Sequence, residues 1–198
     1  PQYVADCVTL LARLDVEEVA WVGTSMGGLI GMMIAAMADT PITRLVLNDV
    51  GPEVSRTGLE RIAGYAGLAA DFADFEAAVD YVATVSASFG PHSREDWREL
   101  TRHVVVQKDG RWVLHYDPGI GQATRDAMAQ AATPDLWPLW QAVKVPSLVL
   151  RGAESDILTA ATAQRMTTEG PRAALVEFAG VGHAPSLLPA DQIAAVQA

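Results

Sequence analysis

The fold is decided by the stretch Glu18-Val19-Ala20-Trp21-Val22-Gly23-Thr24-Ser25-Met26-Gly27-Gly28. Its first six residues are compact and mostly apolar, which predicts a short buried strand. The residues from Thr24 open a helix that runs to about Ala38 and is apolar on nearly every face, so this helix is expected to be buried. Within the stretch, residues 23–27 form the pattern Gly-x-Ser-x-Gly between a strand and a helix, the setting that a strained nucleophile turn requires.

Similar apolar runs recur farther along the chain. Residues 43–48, 146–151 and 174–178 each read as a strand, and near-continuous apolar runs are typical of parallel strands that are covered on both faces. A helix is predicted between the last two strands, from about Thr159 to Glu169, where Gly170-Pro171 ends it. This series of strand, helix and strand predicts an α/β fold with a mostly parallel sheet.

One long segment interrupts the series. Residues 53–140 are too many for a simple crossover and contain helical patterns of their own, including a capping box at Ser93 and Asp96. Asp109-Gly110 predicts a turn before a further apolar run. We therefore predict a core made of residues 1–52 and 141–198, with residues 53–140 inserted as a mainly helical cap or lid.

Composition narrows the class of partner. The formal net charge of −10 argues against nucleic acid or an anionic membrane surface, since both require clustered Lys and Arg, and favours a small-molecule substrate. The longest apolar stretch, residues 27–38, is shorter than the roughly 20 residues of a membrane-spanning helix. The single Cys7 cannot form an internal disulfide, which favours a cytoplasmic location.

With these elements in place, the chain resembles the α/β-hydrolase superfamily over most of its length. That family orders its catalytic residues as nucleophile, acid and histidine. Here Ser25 is followed by Asp156, in Gly-Ala-Glu-Ser-Asp after a predicted strand, and then by His183, in the loop after the last predicted strand. The resemblance implies that Ser25, Asp156 and His183 form a catalytic triad.

The acid has two candidates. Asp49 ends the strand at residues 43–48, and some members of the superfamily take their acid from that position. Asp156 is preferred because its setting resembles the usual acid loop, although an Asp after a strand can also cap the next helix. On this interpretation Asp49 hydrogen-bonds backbone near the active site.

The resemblance implies acyl transfer from an acyl-enzyme, with neither a cofactor nor a metal ion. The backbone N–H of Met26, directly after the nucleophile, would supply one oxyanion donor. Relatives carry the second donor on a loop after an early strand, and no such loop precedes residue 18. The four predicted strands resemble the family's last four, so the chain is expected to be the carboxyl-terminal portion of a longer protein, or to need a second chain. The oligomeric state stays open.

The sequence indicates the substrate only loosely. Four of the five Trp residues lie in or beside the predicted cap and could line an apolar pocket or form the cap's own core: Trp97, Trp112, Trp137 and Trp140. The leading hypothesis is hydrolysis of small or medium carboxylic esters, lactones included. A carbon–carbon bond hydrolase of aromatic ring-cleavage products and a non-catalytic binding scaffold are the alternatives.

Overall fold

The computed structural model describes residues 2–122, 125 and 134–198. The chain divides into two compact units: Pro1–Ser55 with Pro134–Ala198, and Arg56–Thr133. Residues 134–140 belong to the first unit, whereas the sequence analysis placed them in the cap. The reason is burial, because Trp137 and Trp140 of this segment pack into the hydrophobic core of the first unit.

The first unit is built on a parallel four-stranded sheet. Its strands lie in the order β1, β2, β6, β7 and have these bounds: β1 Val19–Thr24, β2 Ile42–Asn48, β6 Ser147–Gly152 and β7 Ala174–Phe178. All three pairings are parallel, as the apolar runs predicted. Because parallel strands end at the same edge of a sheet, the loops after all four strands gather on one side.

Helices connect and flank these strands: α1 Gln2–Leu14, α2 Met26–Ala35, α6 Trp137–Ala142, α7 Ala160–Met166 and α8 Ala190–Gln197. The predicted burial of α2 is confirmed, since Met32 and Ile34 are nearly inaccessible to solvent. Helix α7 begins after Thr159, whose side chain accepts a hydrogen bond from the Thr162 N–H. Thr159 is therefore the N-cap of this helix, and Asp156 is not.

The second unit combines helices with an antiparallel sheet. Its helices are α3 Arg56–Tyr65, α4 Phe75–Val85, a short 3-10 turn at Ala87–Phe89 and α5 Arg94–Arg102. Its strands are β3 Asp71–Phe72, β4 Val105–Lys108 and β5 Arg111–Leu114, in the order β3, β5, β4. The predicted capping box is present at the start of α5. The turn predicted at Asp109-Gly110 joins β4 to β5.

The core of the first unit lies between the sheet and its helices. It includes Leu45 and Leu47 of β2, Val149 of β6 and the fully buried ring of Trp140. Each such side chain contributes roughly 1.5–3 kcal/mol through burial. Strand β1 lies at one end of the strand order and pairs only with β2 within the described residues, and Val22 on it is 47% exposed. No helix in the described part of the chain is long and apolar enough to cross a bilayer.

Candidate active site

Ser25 occupies a sharp turn between β1 and α2. Its backbone has φ 52° and ψ −120°, a left-handed conformation that costs a residue with a side chain on the order of 1–3 kcal/mol. The Ser25 N–H donates to the Asn48 carbonyl at 3.0 Å, which ties the turn to the end of β2. The turn leaves Ser25 partly exposed at the carboxyl edge of the sheet, as the Gly-x-Ser-x-Gly pattern predicted.

The glycines around this turn have different roles. A Cβ at Gly23 would run into the backbone of Gly27 and Gly28, so strand and helix can approach each other only if residue 23 has no side chain. A Cβ at Gly28 would meet the Val50 side chain at 2.5 Å. A Cβ at Gly27 would meet nothing within 4 Å, so the last glycine of the pattern is not required for packing.

This difference gives a testable contrast. We expect Gly23→Ala to cost about 3 kcal/mol or more, since the obstacle is backbone rather than a movable side chain. Such a loss would lower the melting temperature by roughly 6–12 °C in a domain of this size. Gly27→Ala is the matched control, and we expect it to be neutral or stabilising by up to about 1 kcal/mol because Ala favours a helix over Gly. Equal melting temperatures for the two variants would contradict the packing argument.

His183 lies beside the nucleophile. Its Nε2 is 3.0 Å from the Ser25 Oγ, and its side chain is 7% exposed. The loop that carries it follows β7 and is anchored where Asn48 Nδ2 donates to the Pro185 carbonyl at 2.8 Å. The same amide nitrogen donates to Thr24 Oγ1 at 3.0 Å. Asn48 therefore links the histidine loop directly to the nucleophile turn, a role that the sequence analysis did not predict.

The other ring nitrogen of His183 meets Asp49. Nδ1 lies 2.7 Å from Asp49 Oδ2, and the Asp49 side chain is completely buried. Asp49 Oδ1 accepts the Gly152 N–H at 2.9 Å, and Oδ2 also accepts the Ser155 hydroxyl at 2.6 Å. These contacts compensate the carboxylate for the loss of water, since a buried charge is tolerated only when it is hydrogen-bonded.

The two candidate acids differ in what the structure shows of their contacts. From the sequence, Asp156 is the preferred acid and Asp49 is expected only to contact backbone, as it does at Gly152. The structure gives Asp49 the hydrogen bond to His183 as well. The physical reason is the strand order: β2 lies directly beside β1, so Asp49, the residue after β2, lies next to the nucleophile turn.

The backbone N–H of Met26 stays a predicted oxyanion donor, and its place at the start of a helix is compatible with that role. Met26 is the first residue of α2, so its N–H has no acceptor within the helix. The positive end of the helix dipole lies at the same place and favours developing negative charge.

The four tryptophans named as possible pocket residues are divided between the two units. Trp140 is fully buried and donates its indole N–H to the Glu169 carbonyl, and Trp137 is stacked under the Arg165 guanidinium at 3.7 Å. Both are core residues of the first unit, which favours a structural role for them, and their part in a substrate pocket stays a prediction. In the second unit Trp97 packs on Phe89 and Trp112 on Phe75, contacts that favour a structural role there.

Comparisons with known proteins agree with this architecture. A model of the alpha/beta hydrolase family matches residues 1–196. A 3-hydroxybutyrate-oligomer hydrolase of Cupriavidus necator is 46% identical over 98% of this chain and 69% of its own length. An esterase of Mycobacterium tuberculosis is 32% identical over 70% of this chain and 45% of its own length.

Among solved structures, an alpha/beta hydrolase of Novosphingobium aromaticivorans is 38% identical with a TM-score of 0.86, covering 99% of this chain and 70% of that one. The chain therefore belongs to the alpha/beta hydrolase family. The fold class and the family predicted from the sequence are both confirmed. Within the described residues no cluster of His, Cys, Asp or Glu side chains has the arrangement of a metal site.

Proposed function

We propose that this protein is a serine hydrolase that cleaves carboxylic ester bonds through an acyl-enzyme intermediate. The observation that carries the proposal is the continuous hydrogen-bonded chain from Ser25 Oγ through His183 to Asp49, with separations of 3.0 and 2.7 Å. A nucleophile, a base and an acid in contact in that order form the arrangement that activates a serine hydroxyl.

In the first step His183 Nε2 takes the Ser25 proton while Oγ attacks the ester carbonyl. Asp49 holds the imidazole with its Nδ1 proton facing the carboxylate, and stabilises the cation that forms. The Met26 N–H donates to the carbonyl oxygen as that oxygen gains negative charge. His183 then returns the proton to the departing alcohol.

Water completes the cycle by the same route. His183 removes a proton from the water that attacks the acyl group, and Ser25 leaves with that proton. The acid is released and the hydroxyl is restored. The residues named in these steps, Ser25, Met26, Asp49 and His183, all belong to the first unit.

The substrate class is supported by the relative at 46% identity, which is named for hydrolysis of 3-hydroxybutyrate oligomers. The name of the second relative, an esterase, points to the same type of bond. We therefore propose short oligomers of hydroxy acids, joined by ester bonds, as substrates. Simple aryl and alkyl esters and lactones belong to the wider class that the same chemistry would cleave.

The test begins with a fluorophosphonate probe and peptide mapping. We expect the wild-type protein to be labelled at Ser25, and we expect labelling to be lost in Ser25→Ala and to fall sharply in His183→Ala. Absence of labelling in a folded wild-type protein would contradict the nucleophile assignment. The probe reports on the nucleophile without any assumption about the substrate.

The substrate is tested separately with a linear trimer of 3-hydroxybutyrate, 4-nitrophenyl butyrate and a vinylogous diketone, with products separated by chromatography. We expect the trimer to give shorter acids, with no product from Ser25→Ala. Cleavage of the butyrate ester alone would retain ester hydrolysis and remove the oligomer proposal. Cleavage of the diketone alone would replace both with carbon–carbon bond hydrolysis.

A further inference from the structure

The hydroxyl of Ser155 lies against the carboxylate that faces His183. Its Oγ is 2.6 Å from Asp49 Oδ2, the same oxygen that lies 2.7 Å from His183 Nδ1. Ser155 is partly buried in the loop that follows β6. Ser155 therefore contacts Asp49 of the proposed triad without being a member of the triad itself.

The contacts of Ser155 also fix where its proton points. The backbone N–H groups of Ile157 and Leu158 donate to the Ser155 Oγ, at 3.2 and 3.1 Å. A serine hydroxyl has one proton to donate and two lone pairs to accept with. Since the two amide groups occupy the accepting positions, the single proton is directed at Asp49 Oδ2.

Asp49 is therefore held from both of its oxygens. The Gly152 N–H donates to Oδ1 at 2.9 Å and the Ser155 hydroxyl donates to Oδ2. Two donors on opposite ends of a carboxylate restrain rotation about its terminal bond, so the lone pair that faces His183 keeps its direction. Hydrogen bonds to a charged acceptor are also stronger than neutral ones.

We propose that Ser155 is a positioning residue for catalysis, which orients Asp49 and, through it, the imidazole of His183. This inference rests on the proposed function of the site. The loop after β6 would then take part in catalysis through Ser155, the residue before Asp156. The structural alternative is that Ser155 only shapes its own loop through the Ile157 and Leu158 N–H groups.

A double-mutant cycle separates these two roles. We expect Ser155→Ala to lower kcat on 4-nitrophenyl butyrate by about 10- to 100-fold with little change in KM, because one charge-assisted hydrogen bond is lost. In an Asp49→Asn background the same change should alter kcat less than about threefold, since the two residues act as a unit. An equal loss in both backgrounds would show that Ser155 merely shapes the loop and would overturn the proposal, as would a kcat within twofold of wild type.

Two further variants at position 155 show whether a loss of kcat comes from the missing hydroxyl or from misfolding. Ser155→Cys keeps the volume with a weak donor and should lose as much as alanine, whereas Ser155→Thr keeps the hydroxyl and should restore most of kcat. Ser147→Ala is the matched control on the opposite end of β6, where the hydroxyl donates to the Val145 carbonyl at 2.9 Å. We expect this control to leave kcat unchanged.

A measurement that needs no turnover distinguishes failure of this inference from failure of the proposed function. The His183 Nδ1 proton should give a downfield proton NMR signal in the wild-type protein, and it should shift in Ser155→Ala but not in Ser147→Ala. A shift without ester hydrolysis would retain Ser155 as a positioning residue and remove the esterase function. No shift, or no signal in wild type, would overturn the role of Ser155 whatever the activity.

Discussion

Ser25→Ala is expected to lower kcat for ester hydrolysis by about 10⁵- to 10⁶-fold, because removal of the nucleophile of a triad removes the whole acyl-enzyme route. The measurement is the initial rate on 4-nitrophenyl butyrate, with the active-site concentration determined by probe titration of the wild type. KM is not expected to rise, since Ser25 forms its decisive bond only as the reaction proceeds.

The control for Ser25→Ala is a measurement of its melting temperature, which shows whether the variant is folded. Alanine retains the Cβ of Ser25, so the left-handed backbone at φ 52° is no more strained than in the wild type. We therefore expect the melting temperature to stay within a few degrees of wild type. A variant that keeps its fold and retains a tenth of the activity would exclude Ser25 as the nucleophile.

Asp49→Asn is expected to lower kcat by about 10⁴-fold, because an amide can present its NH₂ group to His183 and so favour the wrong imidazole tautomer. The amide NH₂ group of Asn would also face a hydrogen-bond donor, since Asp49 accepts hydrogen bonds from the Gly152 N–H and the Ser155 hydroxyl. Some loss of thermal stability is expected to accompany the loss of rate. The rate must therefore be measured well below the melting temperature of the variant.

Asp156→Asn is the comparison that decides the acid. We expect it to reduce kcat far less than Asp49→Asn, since His183 Nδ1 has Asp49 at hydrogen-bonding distance. The opposite ranking, with both proteins folded, would restore the assignment that the sequence pattern favoured. The same pair of variants should also be compared in probe labelling, which depends on the base but not on the ester.

Much of the first unit could be predicted because its residues satisfy local rules. The runs that became β1, β2, β6 and β7 are mostly apolar, and such runs are typical of parallel strands that are covered on both faces. The nucleophile turn was predicted with the right residue because strand, Gly-x-Ser-x-Gly and helix are contiguous in the chain.

The acid could not be assigned in this way because its position depends on sheet order. Asp49 and Asp156 both follow strands, and their sequence settings do not reveal which carboxylate faces His183. The lateral order β1, β2, β6 brings the end of β2 beside Ser25, and this order emerges only when distant strands pair. The polar pair Asn48-Asp49 directly after an apolar run was the signal that could have carried more weight.

The placement of Trp137 and Trp140 in the cap did not match the structure for a related reason. Trp137 and Trp140 follow the long inserted segment in sequence, and nothing local shows that they pack back into the core. Composition indicates that aromatic side chains must be buried but leaves open what they pack against.

The points where the insertion leaves and rejoins the first unit have a consequence for how such proteins diversify. The Leu136 N–H donates to the Pro52 carbonyl at 3.1 Å, and the Ser55 N–H donates to the Ile157 carbonyl at 3.1 Å, so both junctions are fastened to the same framework. We therefore expect the first unit to tolerate changes in the length of the residues between these junctions. A protein engineer can exchange the insertion there and expect the contacts among Ser25, His183 and Asp49 to be retained.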